Sequence, residues 1–164
     1  MTTEVDIQER RNSVVAEALT WVGTPFAWGQ CVKGVGVDCG RFLAAVGNAS
    51  GVKQIDMESF PQISPQWFLH RSDEAFLNQV RRFAVEYELV PGRVPLPGDI
   101  VLAQFGRDYA HSAFVIAWPK IIGCASGHCV TPWQDIGRSP QYGTRRRRYF
   151  DPFHPDAGMG RENV

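Results

Sequence analysis

The chain has 164 residues, the length of one ordinary domain and too short for two. Hydrophobic residues make up 44% of it, so a core can be buried and a wholly disordered chain is excluded. Seventeen basic residues balance seventeen acidic ones, which argues against a global electrostatic grip on nucleic acid or an anionic membrane. No apolar run is long enough to span a bilayer, and the polar start MTTEVDIQERRN lacks a signal-peptide pattern. The expected compartment is therefore the cytoplasm, where Cys31, Cys39, Cys124 and Cys129 stay reduced. Their spacing is not that of a disulfide framework.

The first predicted element is a helix over 8–22, with Val14, Val15, Ala18, Leu19 and Val22 on one face. Gly23 and Pro25 end it. A loop with Gly29, Gly34 and Gly36 follows, and at Asp38 the pattern turns helical again, with Phe42, Leu43 and Val46 as its stripe. Residues 52–71 read as loop, punctuated by Pro61 and Pro65. Ser72 is placed to cap a third helix, with Asp73 and Glu74 at its positive end and Phe76, Leu77, Val80, Phe83, Ala84 and Tyr87 on its apolar face.

After the turn-rich stretch from Pro91 to Gly98 the composition shifts to β-branched and aromatic residues. Asp99–Phe105, His111–Trp118 and Lys120–Ala125 read as strands, with a last one near Arg147–Phe150. In the middle strand Phe114, Ile116 and Trp118 point one way, and His111, Ala113, Val115 and Ala117 the other. Helices first and an antiparallel meander afterwards define an α+β class. One domain is expected over 1–154, with 155–164 as a polar tail.

One pair of residues stands out chemically. Cys39 sits at a helix start, where unpaired N–H groups and the helix dipole favour a thiolate and can donate to an oxyanion. His111 opens a strand whose face carries small side chains, leaving room for a substrate. A cysteine on a helix start and a histidine on a sheet form a nucleophile and its base.

The neighbouring sequence gives the pair a context. WVGTPFAWGQ, KGVGVDCGRFLAAV, PGDIVLAQF and HSAFVIAWPKII occur in that order within residues 14–153. Together they resemble the NlpC-type papain-like cysteine peptidases, which cleave bacterial cell-wall peptides. KGVGVDC followed by SPQWFLHRSDEAFLNQVRRF is similar to the branch found in phage and prophage tail clusters. The resemblance implies a papain-like α+β fold, with N-terminal helices on a small antiparallel sheet. It implies Cys39 as nucleophile and His111 as base, with the Cys39 N–H serving the oxyanion. Phe26, Trp28, Gly29, Asp38 and Ser112 would line the substrate site, with Asp38 also shaping the helix start. The implied activity is hydrolysis of a peptidoglycan stem-peptide amide, at the bond from D-glutamate to the diamino acid. The implied setting is a phage tail or virion with other tail proteins as partners. No metal, organic cofactor or nucleic acid is required.

Two positions depart from that pattern. Phe26 stands where the family has a tyrosine, and the third polar residue expected twelve positions after His111 falls on Gly123. A shift of one residue puts Cys124 there, and His128 is another candidate. A thiol is a weak partner for an imidazole, so a catalytically weak or inactive tail assembly protein on the same fold is the alternative expectation. Cys124, His128, Cys129 and Cys31 lack the spacing of a zinc module. The run Arg145–Arg148 would alternate between faces of a strand rather than form one patch.

Overall fold

A computed structural model of the chain describes residues 3–58 and 74–158. Helix α1, Glu4–Leu19, begins at a capping box: the Thr3 hydroxyl accepts from Asp6 N–H, and the Asp6 carboxylate accepts from Thr3 N–H. It buries Arg11, Val14 and Ala18, spaced three and four apart. The predicted apolar face ran further. The helix instead ends at Leu19, which is 42% exposed, and Val22 lies beyond it at 50%. Its inward edge is completed by a charged residue. Arg11 donates to Asp99 at 2.7 Å, to Asp151 at 2.9 Å and to the Pro97 carbonyl at 2.9 Å. One buried guanidinium thereby ties α1 to both ends of the chain's C-terminal half.

A small hairpin, β1 (Cys31–Val32) and β2 (Gly36–Val37), leads into helix α2, Cys39–Ala49. The α2 stripe Phe42, Leu43 and Val46 is wholly buried, as its spacing predicts. Helix α3 spans only Ala75–Arg81. The predicted continuation to Tyr87 does not form, because Val85–Tyr87 is strand β3, paired edge to edge with the C-terminal strand. The Tyr87 hydroxyl donates to Asp99 at 2.6 Å, a long-range bond that a local helix would forgo. Ser72, Asp73, Pro61, Pro65 and residues 159–164 of the predicted tail lie outside the described residues.

The remaining strands are β4 (Ile100–Phe105), β5 (Asp108–Ala117), β6 (Lys120–Ala125), β7 (His128–Trp133) and β8 (Arg147–Asp151). They form a six-stranded antiparallel sheet in the order β3-β8-β4-β5-β6-β7. Strand β7 was not foreseen: HCVTPW has little alternation and carries a proline, which an edge strand tolerates.

The sheet has two covered faces. Ile100, Leu102, Phe114, Ile122 and Phe150 pack under the helices with Val14, Phe42 and Leu43. Val101, Ala103, Ala113, Val115, Ile121 and Tyr149 face the other way, under Ile136 and Tyr142 from the stretch between β7 and β8. That segment folds tightly: a Cβ on Gly143 would come within 2.6 Å of the Gly137 carbonyl oxygen. The α+β class and the segregation of helices from the antiparallel sheet follow the sequence expectation.

Candidate active site

Asp38 builds the start of α2. Its carboxylate accepts from the Arg41 N–H at 2.8 Å as an N-cap and pairs with the Arg41 guanidinium at 2.7 Å. The same carboxylate accepts from the Gly29 N–H at 2.9 Å, fastening the preceding loop to the helix. Gly29 adopts φ +70, a left-handed conformation that favours glycine. Phe26 bridges to Val37 and sets its ring edge-on to Trp28, with centroids 5.0 Å apart. Phe26 and Trp28 thus pack on each other, and Gly29 is tied to Asp38, the residue before Cys39. Asp38 acts there as a structural clamp.

Cys39 is the first residue of α2 and is 6% exposed. Its thiol donates to the Ala110 carbonyl on β5 at 3.5 Å. Ser112, two residues along β5, donates its hydroxyl to the Cys39 carbonyl at 3.0 Å. Burial pushes the Cys39 thiol up to about 12, and the Asp38 charge adds to this. Hydrogen bonds from the Ser112 backbone and hydroxyl and the Gly40 backbone favour the thiolate but do not outweigh burial. Gly40 at the helix start and Ser112 on β5 therefore favour a thiolate, while the thiol rests protonated.

Cys124 lies on the same face, on β6, where its thiol donates to the Val37 carbonyl at 3.8 Å. Burial raises its pKa, and the Cys39 charge raises it further, so both thiols share one buried environment. Gly123, the ungapped alternative, pairs with Ala113 and points to the far face. His128 is exposed on β7, beside Trp133.

The strand register decides the position of His111. Leu102 pairs with Ser112 and Ala103 with His111. Directly opposed residues share a face, and successive residues alternate. Leu102 belongs to the helix-side core, as do Ala110 and Phe114. Ala103 and Ala113 belong to the far layer, and His111 goes with them. The imidazole packs on Phe105 with ring centroids 4.0 Å apart. Arg145 stacks on the other partner of that contact, its guanidinium carbon 3.5 Å from the Phe105 centroid. Burial, and then the Arg145 charge, hold His111 down to about 4. Its Nδ1 is buried with no hydrogen-bond partner among the described residues.

The tertiary structure therefore brings Cys39, Ser112 and Cys124 together beneath β5 and β6. It sets His111 on the opposite side of β5, one residue from both groups that touch the thiol. The small-residue face foreseen as an open substrate floor is the far face, covered by Ile136 and Tyr142. Tyr142 was not singled out by the sequence. It is buried, with its hydroxyl unpartnered among the described residues, and its pKa is raised by burial and then by the Cys39 and Cys124 charges. Nothing in local sequence marks it, because it lies in a segment without periodicity.

The fold is the papain-like α+β arrangement of NlpC/p60 domains. The NlpC/p60 domain of the peptidoglycan hydrolase SagA has a similar structure at TM-score 0.54 and 19% identity, over 84% of this chain and 96% of that one. The P60 domain of the M. avium paratuberculosis antigen MAP1272c is similar at TM-score 0.50 and 16% identity, over 79% of this chain and 86% of that one. No family model and no curated protein matches the chain.

Proposed function

We propose that the protein is a cell-wall hydrolase of the cysteine peptidase class, with Cys39 as its nucleophile. One observation carries the reading: within an NlpC/p60-type fold, the thiol occupies the first turn of α2 beneath the central strand β5. That position surrounds a developing thiolate or oxyanion with main-chain donors. The substrate is a peptidoglycan stem peptide, cut at the amide from D-glutamate to the diamino acid, and the setting is a phage tail tip working with other tail proteins. The ordered segments from WVGTPFAWGQ to HSAFVIAWPKII and the tail-type run KGVGVDC support both assignments. In the reaction, His111 takes the thiol proton, the thiolate attacks the carbonyl carbon, and the protonated amine leaves. Water then releases the acyl group and regenerates the thiol.

The second reading is a tail assembly protein that keeps this fold without hydrolysis. The specific observation favouring it is the resting state of the pair. The thiol is buried and held up to about 12, and the imidazole lies across β5 from it. A nucleophilic thiol needs a base within hydrogen-bond reach during the reaction.

Incubating the protein and its Cys39→Ala variant with diaminopimelate-containing muropeptides under reducing conditions separates the two. Cleavage at the D-glutamyl bond, read by mass spectrometry and lost in the variant, is the expected result. No product from folded protein under any condition that exposes the thiol would leave the assembly role standing.

A further inference from the structure

The pairing of β4 with β5 contains one irregularity. Ala103 faces His111, yet the next residue, Gln104, faces Tyr109. Ala110 is therefore the extra residue of a β-bulge, and it immediately precedes His111. Its carbonyl accepts the Cys39 thiol. The bulge thus joins the two parts of the candidate site: one of its residues holds the sulfur and the next carries the imidazole.

The consequences of moving that bulge are local. Shifting the extra residue from Ala110 to His111 pairs Ala103 with Ala110 instead. Pairings from Leu102–Ser112 inward, and the Gln104–Tyr109 pair outward, stay as they are. A one-residue slip exchanges the faces of the residues involved. His111 then leaves the far face, and the Ala110 carbonyl leaves the thiol. Both changes favour contact between imidazole and sulfur.

The position seen is held by identifiable contacts. His111 lies on Phe105, and Arg145 also stacks on the Phe105 ring and donates to the Gln104 carbonyl at 3.5 Å. It also carries a cost, since Nδ1 is buried without a partner among the described residues. A buried polar group left unpaired beside an irregular strand is what a second, alternative conformation can relieve.

We propose that the bulge at Ala110 is a two-position latch. In one position it stores His111 against Phe105 and Arg145, and in the other it delivers the imidazole to the Cys39 thiol. The latch rests on the reading of Cys39 and His111 as a working pair. Phe105 and Arg145 are positioning residues that bias the stored state. A stem peptide that binds the delivered state more tightly shifts the population toward it. No covalent bond is made or broken in the shift itself, only hydrogen bonds at the bulge; the proton passes from sulfur to imidazole only in the delivered state.

The test reads Cys39 alkylation by iodoacetamide, resolved from the other cysteines by peptide mass spectrometry, across pH 5.5–9. It needs no peptidoglycan. Arg145 is exposed, so Arg145→Gln leaves the core intact. The expected result is alkylation on the order of tenfold faster at neutral pH in Arg145→Gln, with a new inflection in the imidazole range. Adding His111→Gln removes both the gain and the inflection. Deleting Ala110 removes the spare residue, so Arg145→Gln gives no gain in that background. Unchanged alkylation in Arg145→Gln overturns the latch, and so does a gain that survives His111→Gln. If the Ala110 deletion does not fold, the Arg145 and His111 variants still decide. A latch that passes while muropeptides stay intact would overturn the substrate assignment alone.

Discussion

The Ser112 hydroxyl donates to the Cys39 carbonyl at 3.0 Å, a buried bond that joins the first turn of α2 to the middle of β5. The same side chain is one of the groups that favour a thiolate on Cys39. Ser112 therefore has a structural and an electrostatic role at one point. Ser112→Ala is expected to cost about 1 kcal/mol in urea unfolding, the usual worth of one buried hydrogen bond. It is also expected to slow Cys39 alkylation at pH 9, because less thiolate forms. Equal alkylation in the two proteins would show that the hydroxyl serves the helix alone.

His111 makes stability depend on pH. Its folded pKa, held down to about 4 by burial and then by Arg145, lies below the 6.5 of an ordinary histidine. Between those values the unfolded chain binds a proton that the folded chain refuses, so stability is lost as pH falls from 6.5 toward 4. At 1.36 kcal/mol per pH unit the loss from this group approaches about 3 kcal/mol. Guanidinium unfolding at pH 7.5 and 4.5 measures it. His111→Gln is expected to flatten the dependence by that amount, and an unchanged slope would place the imidazole in solvent rather than against Phe105.

Arg11 closes the helix layer onto the sheet. The Arg11 and Asp99 side chains are only 5% and 4% exposed, so truncating one leaves a buried charge behind. Arg11→Leu is expected to destabilise by roughly 3–5 kcal/mol. Asp99 keeps donors from the Tyr87 hydroxyl and the Leu96 N–H, which sets the result toward the lower end. Arg11→Leu combined with Asp99→Asn is expected to recover part of the loss. A cost under 1 kcal/mol for the single variant would show that water reaches Asp99.

Much of this architecture can be traced to short-range chemistry. Asp38 is a good N-cap beside a well-spaced apolar stripe, so the start of α2, and hence the place of Cys39, was legible. The β4–β6 meander was legible from its β-branched alternation, with boundaries shifted by a few residues. The spacing of Tyr87 suits a helix, and the pairing with Tyr149 that overrides it joins residues 62 apart. Arg11 interrupts an apolar face for a reason visible only when Asp99 and Asp151 arrive beside it.

The face of His111 belongs to the second kind. Alternation along β5 correctly separated His111, Ala113 and Val115 from Phe114 and Ile116, but Trp118, expected beside them, packs on the far layer beyond the irregularity between Val115 and Ala117. Alternation also has no sign: it does not say which set a helix will cover. That choice followed from α2 laying Phe42 and Leu43 against Phe114 and Leu102, the bulkier side of the sheet. The sequence by itself determined the class of fold, the cap that sets Cys39 at a helix start, and the strand that carries His111, because each depends on neighbours a few residues apart. Only the tertiary structure decided that the thiol is buried beneath Ala110 and Ser112 while the imidazole rests on Phe105. Both depend on the register between strands and the packing of layers, which no local pattern encodes.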